Sequence, residues 1–124
     1  MLAEEKTTEA IIGAAIEVHK TLGPGLLEAV YEECLCHELH LRGLSFQREL
    51  DLPIAYKGAT LKSGLRLDLV VADTVVVEVK AVADLLPIHE AQLMTYLRLS
   101  GRKVGLLINF GAQFLKDGIV RRVL

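Results

Sequence analysis

Leu65–Ala81, LRLDLVVADTVVVEVKA, is the stretch whose reading decides the fold. It reads as two short strands folded about Ala72-Asp73-Thr74. In the first, Leu65, Leu67, Leu69 and Val71 alternate with Arg66, Asp68 and Val70. In the second, Val75, Val77, Val79 and Ala81 alternate with Val76, Glu78 and Lys80. Side chains two apart share a face of a strand, so each strand is expected to have one apolar face and one that carries charge.

Loop length decides whether the charges meet. A three-residue loop, Ala72 to Thr74, pairs Val71 with Val75 and sets Asp68 opposite Glu78. A loop of two or four residues slips the register by one and sends Glu78 to the other face. Asp73 suits the three-residue form, because Asp tolerates left-handed backbone. In that register the two carboxylates lie about 5 Å apart at Cβ, and Lys80 is about 7 Å from Glu78 along the strand. Two acids so close repel each other, and a divalent cation relieves the repulsion. Magnesium suits such a pair, since it takes few protein carboxylates and keeps several waters. A neighbouring ammonium then orients water or stabilises charge on a phosphate. The strand pattern alone leaves open the alternative of an amphipathic hairpin with its charges in solvent.

The remainder of the chain narrows the choice. Its 124 residues suffice for one domain, 1–124, with a real core. A hydrophobic content of 52% excludes a disordered chain. A net charge of −2, with eight acidic residues before Leu39, argues against a surface that grips nucleic acid everywhere. The acidic start, MLAEEKTTEA, is unlike a secretory signal, and no apolar run reaches membrane-spanning length. Cys34 and Cys36 offer no disulfide framework, so a reducing cytoplasm is the expected location. A zinc site from Cys34, Cys36, His37 and His40 is disfavoured, because no second Cys/His pair follows.

Helical spacing runs from about Thr7 to Leu22, with Ile11, Ala15, Val18 and Leu22 as a stripe, and Gly23-Pro24-Gly25 ends it. A second helix is predicted from about Leu26 to Arg42, with Leu27, Val30, Cys34 and Leu41, flanked by Leu35, as its core stripe and Gly43 as its cap. Glu28 and Tyr31 share a face near its start. Ser45 to Tyr56 alternates as a strand, with Arg48 the one exception in the apolar stripe and Pro53 marking an edge or bulge. After the hairpin, Pro87 opens a helix that ends at Gly101, with His89, Gln92 and Tyr96 on one face. Val104 to Phe110 is a buried strand, and Gly118 to Leu124 a last one. The order ααβββαββ predicts an α/β fold, a mixed central sheet flanked by helices.

In chain order the residues are Gly25-Leu26-Leu27-Glu28-Ala29-Val30-Tyr31, then Asp68, then Glu78-Val79-Lys80, then Gln92 and Tyr96. This series resembles the GxxExxY proteins, a group within the PD-(D/E)xK nuclease superfamily, over most of the chain from about Ile11 onward. E-x-K alone is a weak signal; the ordered set is specific. Leu67 stands before Asp68, where the strict motif has Pro.

The resemblance implies a restriction-endonuclease-like core and a metal-dependent nuclease, acting on DNA more readily than RNA. It assigns Asp68, Glu78 and the Val79 carbonyl to magnesium or manganese, with Glu28 binding directly or through water. Lys80 positions or activates the attacking water. Gln92 and Tyr96 hold the nucleic-acid strand, with Tyr31 and Arg66 as further candidate substrate contacts. A homodimer is the expected assembly, and no membrane is involved. A non-catalytic binding or assembly module on the same fold is the competing expectation.

Overall fold

The computed structural model describes residues 3–124; Met1 and Leu2, the start of the acidic N-terminal stretch, lie outside the described residues. Helix α1 (Ala3–Leu22) and helix α2 (Glu28–Leu41) form a hairpin. Strand β1 (Phe46–Leu52) follows, then a small hairpin of β2 (Ala55–Tyr56) and β3 (Ala59–Thr60). The organising hairpin is β4 (Leu65–Val71) and β5 (Val75–Lys80). Helix α3 (Pro87–Ser100), β6 (Val104–Asn109) and β7 (Ile119–Val123) complete the chain. The five long strands make one sheet in the order β1-β4-β5-β6-β7, parallel only where α3 carries the chain from β5 to β6. The expected α/β architecture, a mixed sheet flanked by helices, is therefore present, with one added detail: Pro53 separates β1 from a two-stranded flap instead of bulging a longer strand.

The sheet is covered on both faces. Ile11, Ala15 and Val18 of α1 and Tyr31, Leu35 and Leu39 of α2 pack on Val75, Val77 and Val79 of β5 and on Leu106 and Ile108 of β6. Leu93 and Leu97 of α3 pack on the other face, with Val76 and Leu107. Close approach of α3 depends on Gly105, where an added Cβ would lie 2.7 Å from Leu93 Cδ1. The boundaries of α3 follow from its ends, Pro87 in the first turn and Gly101 at left-handed φ 71°. His89 does not join Gln92 and Tyr96 as a free face residue; its Nδ1 accepts the Leu86 N–H and caps the helix.

Two expectations are corrected. The core stripe of α2 is as expected only at Leu35, which is buried, and Cys34, which packs half-buried against the core: Leu27 and Leu41 are 76% and 65% exposed, and Tyr31, Glu32, Cys36 and Leu39 are buried as well. The helix has apolar residues on more than one face, and the position of α1 and the sheet selects among them.

The second correction concerns β4. Leu69 and Val71 lie in the α1/α2 core, but Leu65 and Leu67 lie against the α3 side. β1 changes face at the same level, since Phe46 packs with the α1/α2 core and Leu50 with the α3 core. The register is unaltered across the change, but the rung between Arg48↔Leu69 and Leu50↔Leu67 is missing. Its two members are Glu49 and Asp68. Glu49 has φ 54°, a left-handed conformation that turns β1 over, and β4 turns with it.

That conformation gives a contrast opposite to strand propensity. Glu49→Val, favourable in an ordinary strand, is expected to destabilise the fold by about 1–2 kcal/mol because a β-branched residue resists left-handed backbone. Glu49→Gly is expected to leave stability unchanged or slightly raised. Equilibrium urea unfolding of the two variants checks this, and the opposite ranking would refute the left-handed turn at Glu49.

Candidate active site

The tight turn delivers the acids as the three-residue loop requires. Pairing runs Val71↔Val75, Val70↔Val76 and Leu69↔Val77, with Ala72 and Asp73 at φ 51° and 59°. Asp68 and Glu78 stand at the next rung, and there the backbone ladder between β4 and β5 ends. Beyond it β4 stays with β1 down to Leu65, and β5 stays with β6 up to Lys80↔Asn109. The sheet forks between them.

Side chains close the fork where the backbone does not. The Asp68 N–H donates to Glu78 Oε2 at 2.8 Å, and the Val79 N–H donates to Asp68 Oδ2 at 2.8 Å. Each carboxylate thus spends one oxygen on the main chain of the other strand. The inversion at Glu49 explains the aim of Asp68, which lies between Leu67 on one face and Leu69 on the other and reaches across toward β5.

Burial dominates the electrostatics. Glu78 is 5% exposed, and burial followed by the charge of Asp68 pushes its pKa up to about 8. The Asp68 carboxyl is also raised, first by burial and then by the charge of Glu28, against the Val79 hydrogen bond and the Lys80 ammonium. Lys80 draws both acids back toward ionisation. Burial, then the charges of Glu78 and Asp68, raise the Tyr96 phenol, which puts α3 beside the same centre. Gln92 is half-buried one turn earlier on that helix. Glu28 is exposed at the first position of α2, and both acids feel its charge.

Tyr31, a candidate substrate contact, does not reach the surface. It is fully buried, stacked on Phe110 with ring centroids 4.8 Å apart. Its hydroxyl donates to the Gly23 carbonyl and accepts the Leu26 N–H. The motif's tyrosine therefore pins the Gly23-Pro24-Gly25 turn and sets the start of α2, and with it Glu28. Arg66 is exposed and engaged with Asp51 and Glu49 of β1, at 3.0 and 3.7 Å. The change of face at Asp68 separates it from the charged side that strict alternation assigned to it.

Three contributors escaped the sequence reading. Asn109 is 2% exposed; its Oδ1 accepts the Val82 and Gly111 N–H groups and its Nδ2 donates to the Val82 carbonyl. The amide extends the β5/β6 ladder past Lys80 by one side-chain rung, and the Phe110 N–H holds the Lys80 carbonyl at 2.8 Å. A polar residue inside the apolar run Val104–Phe110 was the only sign of it. Glu32 and Arg48 form a pair between α2 and β1, and the visible sign was Arg48's place in an apolar stripe.

Oxygen donors, each with one oxygen unspent on the main chain, and pKa values raised first by burial and then by neighbouring carboxylates are the donor chemistry a hard divalent cation takes. Among the described residues no three side chains of His, Cys, Asp or Glu converge on one point as a ligand set. The pair fits an ion that keeps much of its water.

A mixed sheet with helices on both faces, forked at an Asp/Glu pair with a lysine two residues on, defines a restriction-endonuclease-like protein. A sequence model of the PD-(D/E)XK nuclease superfamily matches residues 5–123, and the chain belongs to that superfamily. Its members are generally dependent on a divalent metal, and membership points to a nuclease-type activity on nucleic acid. Searches of curated proteins and of solved structures gave no match. No helix among the described residues is long and apolar enough to cross a membrane.

Proposed function

We propose that residues 1–124 form one metal-dependent nuclease domain of the GxxExxY group, cutting phosphodiester bonds of DNA more readily than RNA. The observation that carries the reading is the fork itself, where Asp68 and Glu78 bridge two separating strands while burial and repulsion disfavour their charged forms. Asp68, Glu78 and the Val79 carbonyl would hold magnesium or manganese, and Glu28 would act on it through water. When bound, such an ion neutralises charge on the phosphate and favours ionisation of water. Lys80 orients the attacking water and faces the phosphate oxygens, and Gln92 and Tyr96 offer hydrogen bonds to the strand being cut. Tyr31 and Arg66 have no part in substrate binding in this reading.

Incubation with single- and double-stranded DNA and RNA, plus magnesium or manganese, tests it. Lys80→Ala is expected to lower hydrolysis by about 10²-fold or more; equal background from the variant and the wild type under every condition refutes the enzyme. The weak net charge of −2 motivates a second reading, a non-catalytic module on the same fold. Calorimetry with manganese separates the two: binding lost in Asp68→Ala supports the enzyme, and no binding supports the module.

A further inference from the structure

Arg48 Nε and Nη2 both donate to Glu32 Oε2, at 3.3 and 3.1 Å. The Glu32 side chain is 10% exposed and that of Arg48 36%. Glu32 lies one turn after Glu28 on α2. Arg48 lies opposite Leu69, the residue after Asp68, and immediately before the left-handed Glu49. One ion pair therefore links the helix that carries Glu28 to the rung that adjoins Asp68. Burial raises the Glu32 carboxyl, Arg48 draws it back, and the charge of Asp68 adds to the rise, so the three groups share one neighbourhood.

Two facts make this pair more than a surface contact. Strict alternation would put Arg48 and Leu50 on one face, yet Arg48 reaches α2 while Leu50 packs with the α3 core. A strand can satisfy both only by turning over between them, and it does so at Glu49. Moreover, an ion pair with a half-exposed arginine contributes little net stability, because solvent screens the arginine and desolvating the Glu32 carboxylate offsets much of the attraction. Its consequence is geometric: the turn at Glu49 leaves Asp68 without a backbone rung and free to reach into the fork.

We propose that Arg48 and Glu32 are positioning residues for the metal centre, holding β1 in its turned-over form and fixing α2 against it so that Asp68 and Glu28 address the same ion. This rests on the metal-dependent reading above.

The test is the double variant Glu32→Gln/Arg48→Met, which removes both charges at similar volume, compared with wild type and Asp68→Asn. Thermal melting without metal reports the fold, and manganese titration by calorimetry or electron paramagnetic resonance reports the centre. The double variant is expected to melt within a few degrees of wild type, and to bind manganese about tenfold more weakly, the scale of losses when groups behind the ligands are changed. If it binds as wild type does while Asp68→Asn abolishes binding, the pair is merely structural and the inference is overturned, with the metal reading intact. If wild type binds no manganese, both are overturned. Should the double variant not fold, Arg48→Lys replaces it: weaker manganese binding at an unchanged melting temperature supports the proposal, and wild-type affinity overturns it.

Discussion

Glu78→Gln is expected to stabilise the metal-free protein above neutral pH and to abolish hydrolysis. Glu78 has an ordinary pKa near 4.5 and is pushed up to about 8 in the fold, chiefly by burial and then by Asp68. Below the first value the group is protonated in folded and unfolded chains alike. Between the two values the unfolded chain has lost its proton and the folded chain keeps it, so the folded state binds more protons and each rise in pH lowers stability. The Asp68 carboxyl is shifted in the same direction and adds to the trend. The wild-type melting temperature should therefore fall from pH 5 to pH 8 without metal, and magnesium or manganese should restore it. Gln carries no charge to lose and still accepts the Asp68 N–H through its amide oxygen, so the variant's melting temperature should fall less steeply with pH than that of wild type, with only the Asp68 contribution left. Loss of the carboxylate should cut hydrolysis by about 10³-fold, or ~4 kcal/mol of barrier. Thermal melts across pH, with and without metal, check the first part and a nuclease assay the second. A wild-type melting temperature that climbs from pH 5 to pH 8 would remove the electrostatic basis of the site.

The second large effect lies outside the acids, in the clasp behind Lys80. Gly111 adjoins Asn109, and a Cβ there would collide with the Val82 carbonyl oxygen and come within 2.8 Å of the Val82 nitrogen. These are the backbone groups that Asn109 holds through two hydrogen bonds. Gly111→Ala must push the 81–86 segment away from β6, because backbone cannot rotate aside as a flexible side chain does. Overpacking of this kind costs about 3 kcal/mol, roughly a 10 °C fall in melting temperature for a chain of this size. The displaced segment links Lys80 to α3, so activity measured well below the melting temperature should fall as well. A variant that melts and cuts like wild type would show that the segment is free to move and that the clasp is not needed.

Much of the site was legible before any coordinates. The register of the hairpin followed from a loop whose length and Asp73 suit left-handed backbone, and that register placed Asp68 level with Glu78. Helix α3 was legible because Pro87 and Gly101 mark its ends by local chemistry. These are short-range effects, set by residues within a few positions of one another. Glu28, Gln92 and Tyr96 were named by resemblance, and the fold then placed Glu28 and Tyr96 within electrostatic reach of the acids.

What failed was every inference that treated an element as regular along its length or judged a side chain without its partners. Alternation put Leu65 and Leu67 with Leu69, and Arg66 with Asp68; the turn at Glu49 breaks that pattern. Tyr31 looked available on its helix and is buried because Phe110, far along the chain, covers it. The amino-acid sequence by itself determined the order of the helices and strands, the ends of α3, the pairing of the hairpin and the presence of two acids level with each other and an amine two residues on. Tertiary structure alone decided which face each residue took and how the strands part around Asp68, because those depend on surfaces brought together from distant segments, and the free energy of covering them overrides local periodicity.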